Sequence, residues 1–265
     1  MKYQGIYFMK KTLIALAVAA SAAVSGSAMA WTANGTGGDL QISGLIDVLT
    51  PSTPWEVKVG DAVNNLNIQI DRGETKAVIP VTTVIPVLGI RTASKTPFHG
   101  QAGISPQINF GNALDIDSFK DGRADLTLDV KNDSDMKIGT LTTTLSAGAE
   151  ASVVAGNTRS KFNLFASNPG DAFYGGVGKS NDKISQESWH IANRLGAEYT
   201  QNYNDQDATL VASGNHEFFN NSQFTYSALY GAGILDNAKI SITLDQPATS
   251  AITWKASLPI SVTYQ

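Results

Sequence analysis

Two segments with strict apolar alternation lie near the two ends of this chain, and they constrain it more than any other feature. Near the start, Gly38-Asp39-Leu40-Gln41-Ile42-Ser43-Gly44-Leu45-Ile46-Asp47-Val48 sets Leu40, Ile42, Gly44, Ile46 and Val48 on one face. At the end, Trp254, Ala256, Leu258, Ile260, Val262 and Tyr264 do the same, and Tyr264 is penultimate. In a strand every second side chain points the same way, so each segment reads as a half-buried strand. An apolar strand this close to each end suggests surfaces meant for other molecules.

The segment before the first strand is set aside from the fold. Lys10-Lys11, the apolar run from Leu13 to Ala20 and the small residues ending Ala28-Met29-Ala30 read as a secretory signal peptide over residues 1–30, cleaved between Ala30 and Trp31. A membrane anchor is disfavoured because the strongly apolar part is too short to span a bilayer. Met9 directly precedes Lys10-Lys11, so translation from Met9 gives a more ordinary leader than translation from Met1. The expected organisation is then a free strand over 31–48 and a single body over 49–265.

Charge and cysteine content exclude several functions. The leader holds three of the 19 basic residues and none of the 23 acidic ones, which leaves the remainder near −7. That balance argues against nucleic acid, which attracts a basic footprint, and against electrostatic docking on anionic lipid. There is no cysteine. A secreted chain of this length can bury a sufficient core without disulfides. Thiol catalysis, zinc–cysteine sites and iron–sulfur clusters are ruled out.

Short alternating strands between Gly, Asn, Asp and Ser clusters recur along the body. Leu66, Ile68 and Ile70 alternate before Asp71-Arg72-Gly73. The β-branched run from Ala77 to Ile90 is broken by Pro80 and Pro86, which suggests an edge, a bulge or a switch between sheets. Leu126, Leu128 and Val130 run into Asn132-Asp133-Ser134-Asp135, and Ile138 to Leu145 returns, a candidate hairpin. Ile240, Ile242 and Leu244 precede Gln246-Pro247 and the terminal strand. The pattern predicts an all-β sandwich.

From about 157 to 230 the chain is polar, aromatic and rich in Gly and Asn, and reads as a long insertion carrying binding surface. It holds the best helix pattern, Asp182 to Leu195, with Ile184, Ser188, Ile191 and Leu195 on one face and Gly196 as a stop.

No chemistry-bearing constellation emerges. His99, His190 and His216 have no metal-ligand spacing, and no nucleophile or phosphate-loop motif is present. His216-Glu217 beside Phe218-Phe219 reads as a partly buried loop, and Asp115, Asp117 and Asp121 as a solvated acidic turn without the closing glutamate of a calcium loop. Phe173-Tyr174-Gly175-Gly176 reads as a glycine-permitted turn. The expectation is no catalytic residue, no metal and no cofactor.

The end strands carry a resemblance. An apolar-x-apolar-x-Gly-x-apolar-x-apolar stretch after a leader, and a final alternating strand with a penultimate tyrosine, resemble the donor and chaperone-binding strands of chaperone–usher pilins. More narrowly, the leader from Met9, Pro54-Trp55-Glu56-Val57-Lys58-Val59-Gly60, Leu164-Phe165-Ala166, Phe173-Tyr174-Gly175-Gly176 and the end from Ile240 to Tyr264 resemble the F-four (K-eighty-eight, Fae-type) fimbrial subunits. The absence of cysteine fits that family. The glycine that many pilins carry about fourteen residues from the end is missing, since none follows Gly233.

The resemblance implies a bacterial surface fimbria as the destination, reached through the periplasm. It implies an immunoglobulin-like sandwich lacking its last strand. Trp254, Leu258, Ile260, Val262 and Tyr264 would border the gap, and Leu40, Ile42, Gly44, Ile46 and Val48 of a neighbouring subunit would fill it. The implied partners are neighbouring subunits, a periplasmic chaperone, an outer-membrane usher and, for an adhesive subunit, host glycoconjugates. A minor subunit needed for biogenesis is favoured over the major adhesin, because the resemblance to the major subunit is poorest in the middle. Three other readings stay open. An ordinary secreted sandwich would pair its first strand within its own sheet. An outer-membrane barrel would need regular ten-residue segments through the middle. A sandwich hydrolase lacks a catalytic constellation here. Trp189, Phe218, Phe219, Tyr226 and Tyr230 are candidates for stacking on a sugar or for the core of the insertion.

Overall fold

The computed structural model describes residues 52–265. The leader, the Ala30–Trp31 junction and the strand carrying Leu40, Ile42, Gly44, Ile46 and Val48 lie outside the described residues.

The body is all-β with a short helical segment. Its strands are β1 (Trp55–Val59), β2 (Lys76–Pro80), β3 (Ile85–Thr92), β4 (Phe98–His99), β5 (Pro106–Asn109), β6 (Arg123–Lys131), β7 (Lys137–Ala155), β8 (Thr158–Asn163), β9 (Thr225–Ile234), β10 (Lys239–Leu244), β11 (Lys255–Ala256) and β12 (Ser261–Tyr264). Helices α1 (Ser188–Leu195) and α2 (Ala197–Thr200) follow a 3-10 turn at Asn181–Lys183. The main sheet runs β1-β3-β9-β7-β10-β2, with β6 and β8 also on β7, β11 on β6 and β4 on β9. A second sheet pairs β12 with β5.

The 19-residue strand β7 organises the body. Its first part pairs with β6 and β10, and its last part with β8 and β9. We call these the lower and upper halves. The β6–β7 hairpin turns at Asn132–Met136, where the Asn132 side chain accepts from the backbone N–H groups of Ser134 and Met136, at 3.0 and 3.1 Å. That is the hairpin the alternation predicts. Pro80 ends the sheet-edge strand β2, where a missing N–H costs no ladder bond, and Pro86 flanks a register shift between Pro86 and Leu88.

Alternation along upper β7 separates two environments. Leu145, Ala147, Ala149, Ala151 and Val153 enter the main core with Ile90, Ile108, Phe173, Ala228 and Tyr230. The opposite face carries Gly148, Glu150 and Ser152, and the helices lie on it. Gly148 of β7, Gly231 of β9 and Gly89 of β3 are direct cross-strand neighbours and form a row. A Cβ at Gly148 would lie 2.7 Å from the Ser188 Cα, and one at Gly231 2.8 Å from the Ala192 Cα. One at Gly89 would lie 2.6 Å from the Tyr199 ring. The row is a trough across three strands, approached closely by α1 at β7 and β9 and by Tyr199 of α2 at β3, with Ala192, Leu195, Tyr199 and Leu229 forming a small core there.

Three expectations need adjusting. The region from about 157 to 230 begins and ends in main-sheet strands, β8 and β9, so its helical and looped part spans 164–224. The expected helix from Asp182 forms as a 3-10 turn and a separate two-turn α1, and its buried face is Ser188, Ala192 and Leu195, with Ile191 only half-buried. Leu66, Ile68 and Ile70 form no strand. The reason for that last difference lies in the groove.

Candidate subunit-binding groove

Among the described residues, the lower half is open along one side. A groove of about 1460 Å³ runs between residues 59–72 and residues 248–260. Its floor is apolar: Leu126 and Leu128 of β6, Leu141 of β7, Ile234 of β9 and Ile240, Ile242 and Leu244 of β10. Leu66 and Ile70 lean into this cluster, while Ile68 is exposed.

Both walls are mostly extended chain without sheet partners among the described residues. Gly60 N–H donates to the Val87 carbonyl at 3.0 Å and Gly73 N–H to the Ala248 carbonyl at 2.8 Å. Among the described residues, no backbone N–H between them donates to a backbone carbonyl. The opposite wall pairs only at β11 and β12, and residues 249–254 and 257–260 make no such bond among the described residues. Leu66, Ile68 and Ile70 have the period of a strand but no ladder to join. Unpaired peptide groups beside an apolar floor are the two requirements for accepting a foreign strand.

The terminal segment lies where its alternation points. Trp254, Ala256, Leu258, Ile260, Val262 and Tyr264 are all half-buried, and each residue between them is exposed. Trp254, Leu258 and Ile260 line the groove. Val262 and Tyr264 lie beyond it, opposite Ile108 and Pro106 of β5, and pack on the main core. Gln265 closes the strand through reciprocal backbone bonds with Ser105, both 3.0 Å. The floor residues of β10 and β6 were visible as alternation, but nothing in their spacing marks that face as open.

The aromatic candidates divide. Phe219, Tyr226 and Tyr230 are core residues. Phe219 lies 5.2 Å from Trp55 and 5.3 Å from Tyr226, ring to ring, and Tyr230 stacks on Phe173 at 5.5 Å. The Tyr230 hydroxyl donates to the Gly176 carbonyl at 3.1 Å. Burial pushes the Tyr226 hydroxyl up to about 12, with the Glu217 charge adding to it. Phe173 adopts a left-handed backbone, φ 62°, a strained turn that aims its ring into the core. Phe218 is exposed.

Trp189 lines a second, polar cavity of about 630 Å³ beside α1, with Glu150, Lys161, His190, Tyr203 and Asp205 among its walls. Glu150 is 4% exposed, and burial pushes its carboxyl above the usual range, opposed by the Tyr203 hydroxyl and the Lys161 ammonium. Lys161 faces Asp205 at 3.5 Å. Below them Ser152 Oγ donates to the Asn204 carbonyl at 2.6 Å and accepts from Gln206 Nε2 at 3.0 Å. Elsewhere, the Asp115 carboxylate accepts from the Asp117 and Ser118 N–H groups, and Asp117 pairs with Lys179. Among the described residues, no cluster of three His, Cys, Asp or Glu side chains could hold a metal ion.

The fold is an all-β body with an apolar groove whose walls are largely unpaired among the described residues. The chain belongs to the family described as "Fimbrial, major and minor subunit", which it matches over residues 9–265. It is 32% identical to K88 fimbrial protein AC of Escherichia coli, over 97% of this chain and all of that one. It is 30% identical to the F41 fimbrial protein of Escherichia coli, with the same coverage of both chains. Identity to the Escherichia coli K88 minor fimbrial subunit FaeI is 25%, again over 97% of this chain and all of that one. The protein is a fimbrial subunit of the K88/F41 type, exported through the periplasm to the cell surface, where it assembles with other subunits.

Proposed function

We propose that the chain polymerises by donor-strand exchange: residues 31–48 of one copy enter the groove of the next after a periplasmic chaperone has held it and an outer-membrane usher has exchanged it. The observation that carries this reading is the groove itself, apolar below and, among the described residues, unpaired along residues 61–72 and along most of the opposite wall. Leu40, Ile42, Ile46 and Val48 would sit on the floor, each contributing about 1.5–3 kcal/mol when fully buried. Gly44 would allow close approach. Edge pairing would supply main-chain hydrogen bonds to residues 61–72 and to the terminal segment. Head-to-tail contacts of this kind do not close, so they build a fibre.

Gly44→Leu tests it. The variant should be recovered with its chaperone in wild-type amount yet fail to polymerise, because small-to-large changes at tight sites cost about 1–3 kcal/mol or more. Polymerisation at the wild-type rate would remove the donor strand from the mechanism.

Within the fibre we place the chain as a minor subunit needed for biogenesis. The weaker resemblance of residues 157–230 to the major subunit, read from the sequence, favours this, and the higher identity to K88 fimbrial protein AC than to FaeI counts the other way. Copy number in purified fibres, by quantitative mass spectrometry, decides it: parity with the most abundant subunit excludes a minor role. The polar cavity supports a second reading, a major adhesive subunit, since an aromatic wall with carboxylates and amides suits a host saccharide. Glycan-array binding by wild type and its loss in Trp189→Ala would establish that reading.

A further inference from the structure

Among the exposed apolar side chains of the body, Phe218 lies at one end and Met136 and Ile252 at the other. In the upper half, Phe218 is 40% exposed and the His216 ring bridges Phe218 and Phe165, edge to face, at 5.6 and 5.7 Å. In the lower half, Met136 at the β6–β7 turn is 60% exposed and Ile252 at the mouth of the groove 41%. Asp135 pairs with Lys255 at 2.8 Å, which holds the turn beside the groove mouth.

The upper patch lies where the chain enters the body. Trp55 Nε1 donates to the Ile104 carbonyl at 2.6 Å, the next residue, Ser105, donates from Oγ to the Phe218 carbonyl at 2.7 Å, and Trp55 packs on Phe219. Only residues 49–54 separate Val48 from Trp55. Six residues span at most about 21 Å when fully extended.

These facts rest on the donor-strand reading and extend it. The terminal segment runs upward from the groove mouth at residue 248 to Gln265. A donor strand antiparallel to it runs downward and leaves at the mouth, beside Ile252 and Met136. The short link then brings the donor's own upper end against that mouth. We propose that successive copies of this chain contact each other end to end, with the Phe165–His216–Phe218 patch of one packed on Met136 and Ile252 of the copy whose groove it fills.

The absence of cysteine gives the test a clean background. Fibres assembled from a Phe218→Cys/Met136→Cys variant are oxidised and run on non-reducing gels, boiled and unboiled. The expected result is a ladder of covalent multimers that survives boiling and collapses with reductant, with each single variant giving dimers at most. A ladder seen only without boiling means that donor strands are exchanged but the ends do not meet, which overturns this contact alone. No ladder of either kind from wild-type material means that copies of this chain do not follow one another, which overturns the contact and leaves the donor-strand reading to the Gly44→Leu test. A second pair, His216→Cys with Ile252→Cys, serves if the first does not assemble. Failure of both to cross-link in intact fibres overturns the proposal.

Discussion

The upper and lower halves of this body share strand β7 but treat its neighbours in opposite ways. Above, the sheet face is stripped to Gly89, Gly148 and Gly231, and the chain's own helix fills the trough. Below, the face keeps Leu126, Leu141, Ile240 and Ile242, and no described segment covers it. A trough of small residues recruits a helix by close backbone approach. A bed of large residues between largely unpaired walls instead suits a strand with side chains of its own, as the proposed function requires. One surface is completed in cis, and the other is the one the proposed donor strand would complete in trans.

Breaking the lower half should have the largest effect. In a self-complemented form, with residues 31–48 moved to follow Gln265 through a flexible linker, Leu126→Ala should cost about 2–5 kcal/mol by thermal or denaturant unfolding. The moved strand makes insertion intramolecular, so the parent should be a stable monomer. If the unmodified chain melts cooperatively as a monomer and the moved strand raises its melting temperature by nothing, the groove needs no donor.

Gly148→Val attacks the upper half. The new side chain collides with Ser188, and the expected cost is about 1–3 kcal/mol, with faster amide exchange in α1 and α2 but not in β10. Equal loosening of both halves would show that they are one cooperative unit rather than two devices.

Glu150→Gln probes the polar floor beneath the insertion. Burial raises the Glu150 pKa above its unfolded value, so the folded state binds this proton more tightly. Stability from the protonated form is therefore present at low pH and lost as pH rises from the ordinary carboxylate range through the raised value. The glutamine variant should equal wild type in acid and exceed it near neutrality, the gap widening with pH. A gap constant with pH would mean that the charge is already compensated. Smallest of all, Lys58→Ala removes a half-exposed ion pair with Glu198 at 2.7 Å and should leave the melting temperature within error. A clear loss would show that this pair ties β1 to the helical segment.

Much of this was legible in the chain. Period-two runs marked β6, the start of β7, β10 and the terminal segment, because each has one face on apolar neighbours. Polar spacing marked the hairpin turn at Asn132. The same reasoning failed at Leu66, Ile68 and Ile70, whose period is right but whose backbone has no partner among the described residues. It failed again at β8 and β9, read as part of an insertion, because a polar stretch can be a strand when a long neighbour such as β7 supplies its ladder.

Local order therefore followed from the amino-acid sequence alone: an all-β body, where its strands alternate, and the alternating terminal segment from Trp254 to Tyr264. Periodicity and turn chemistry act within a few residues, and a single chain displays them directly. The tertiary structure decided the rest. Gly89, Gly148 and Gly231 become a trough only because register sets them side by side. Trp254 lines a groove while Tyr264 seals a core, though both obey one alternation, because the terminal segment passes from the open half to the closed one. Which apolar face is covered depends on the other elements that reach it, and that is a property of the assembled chain.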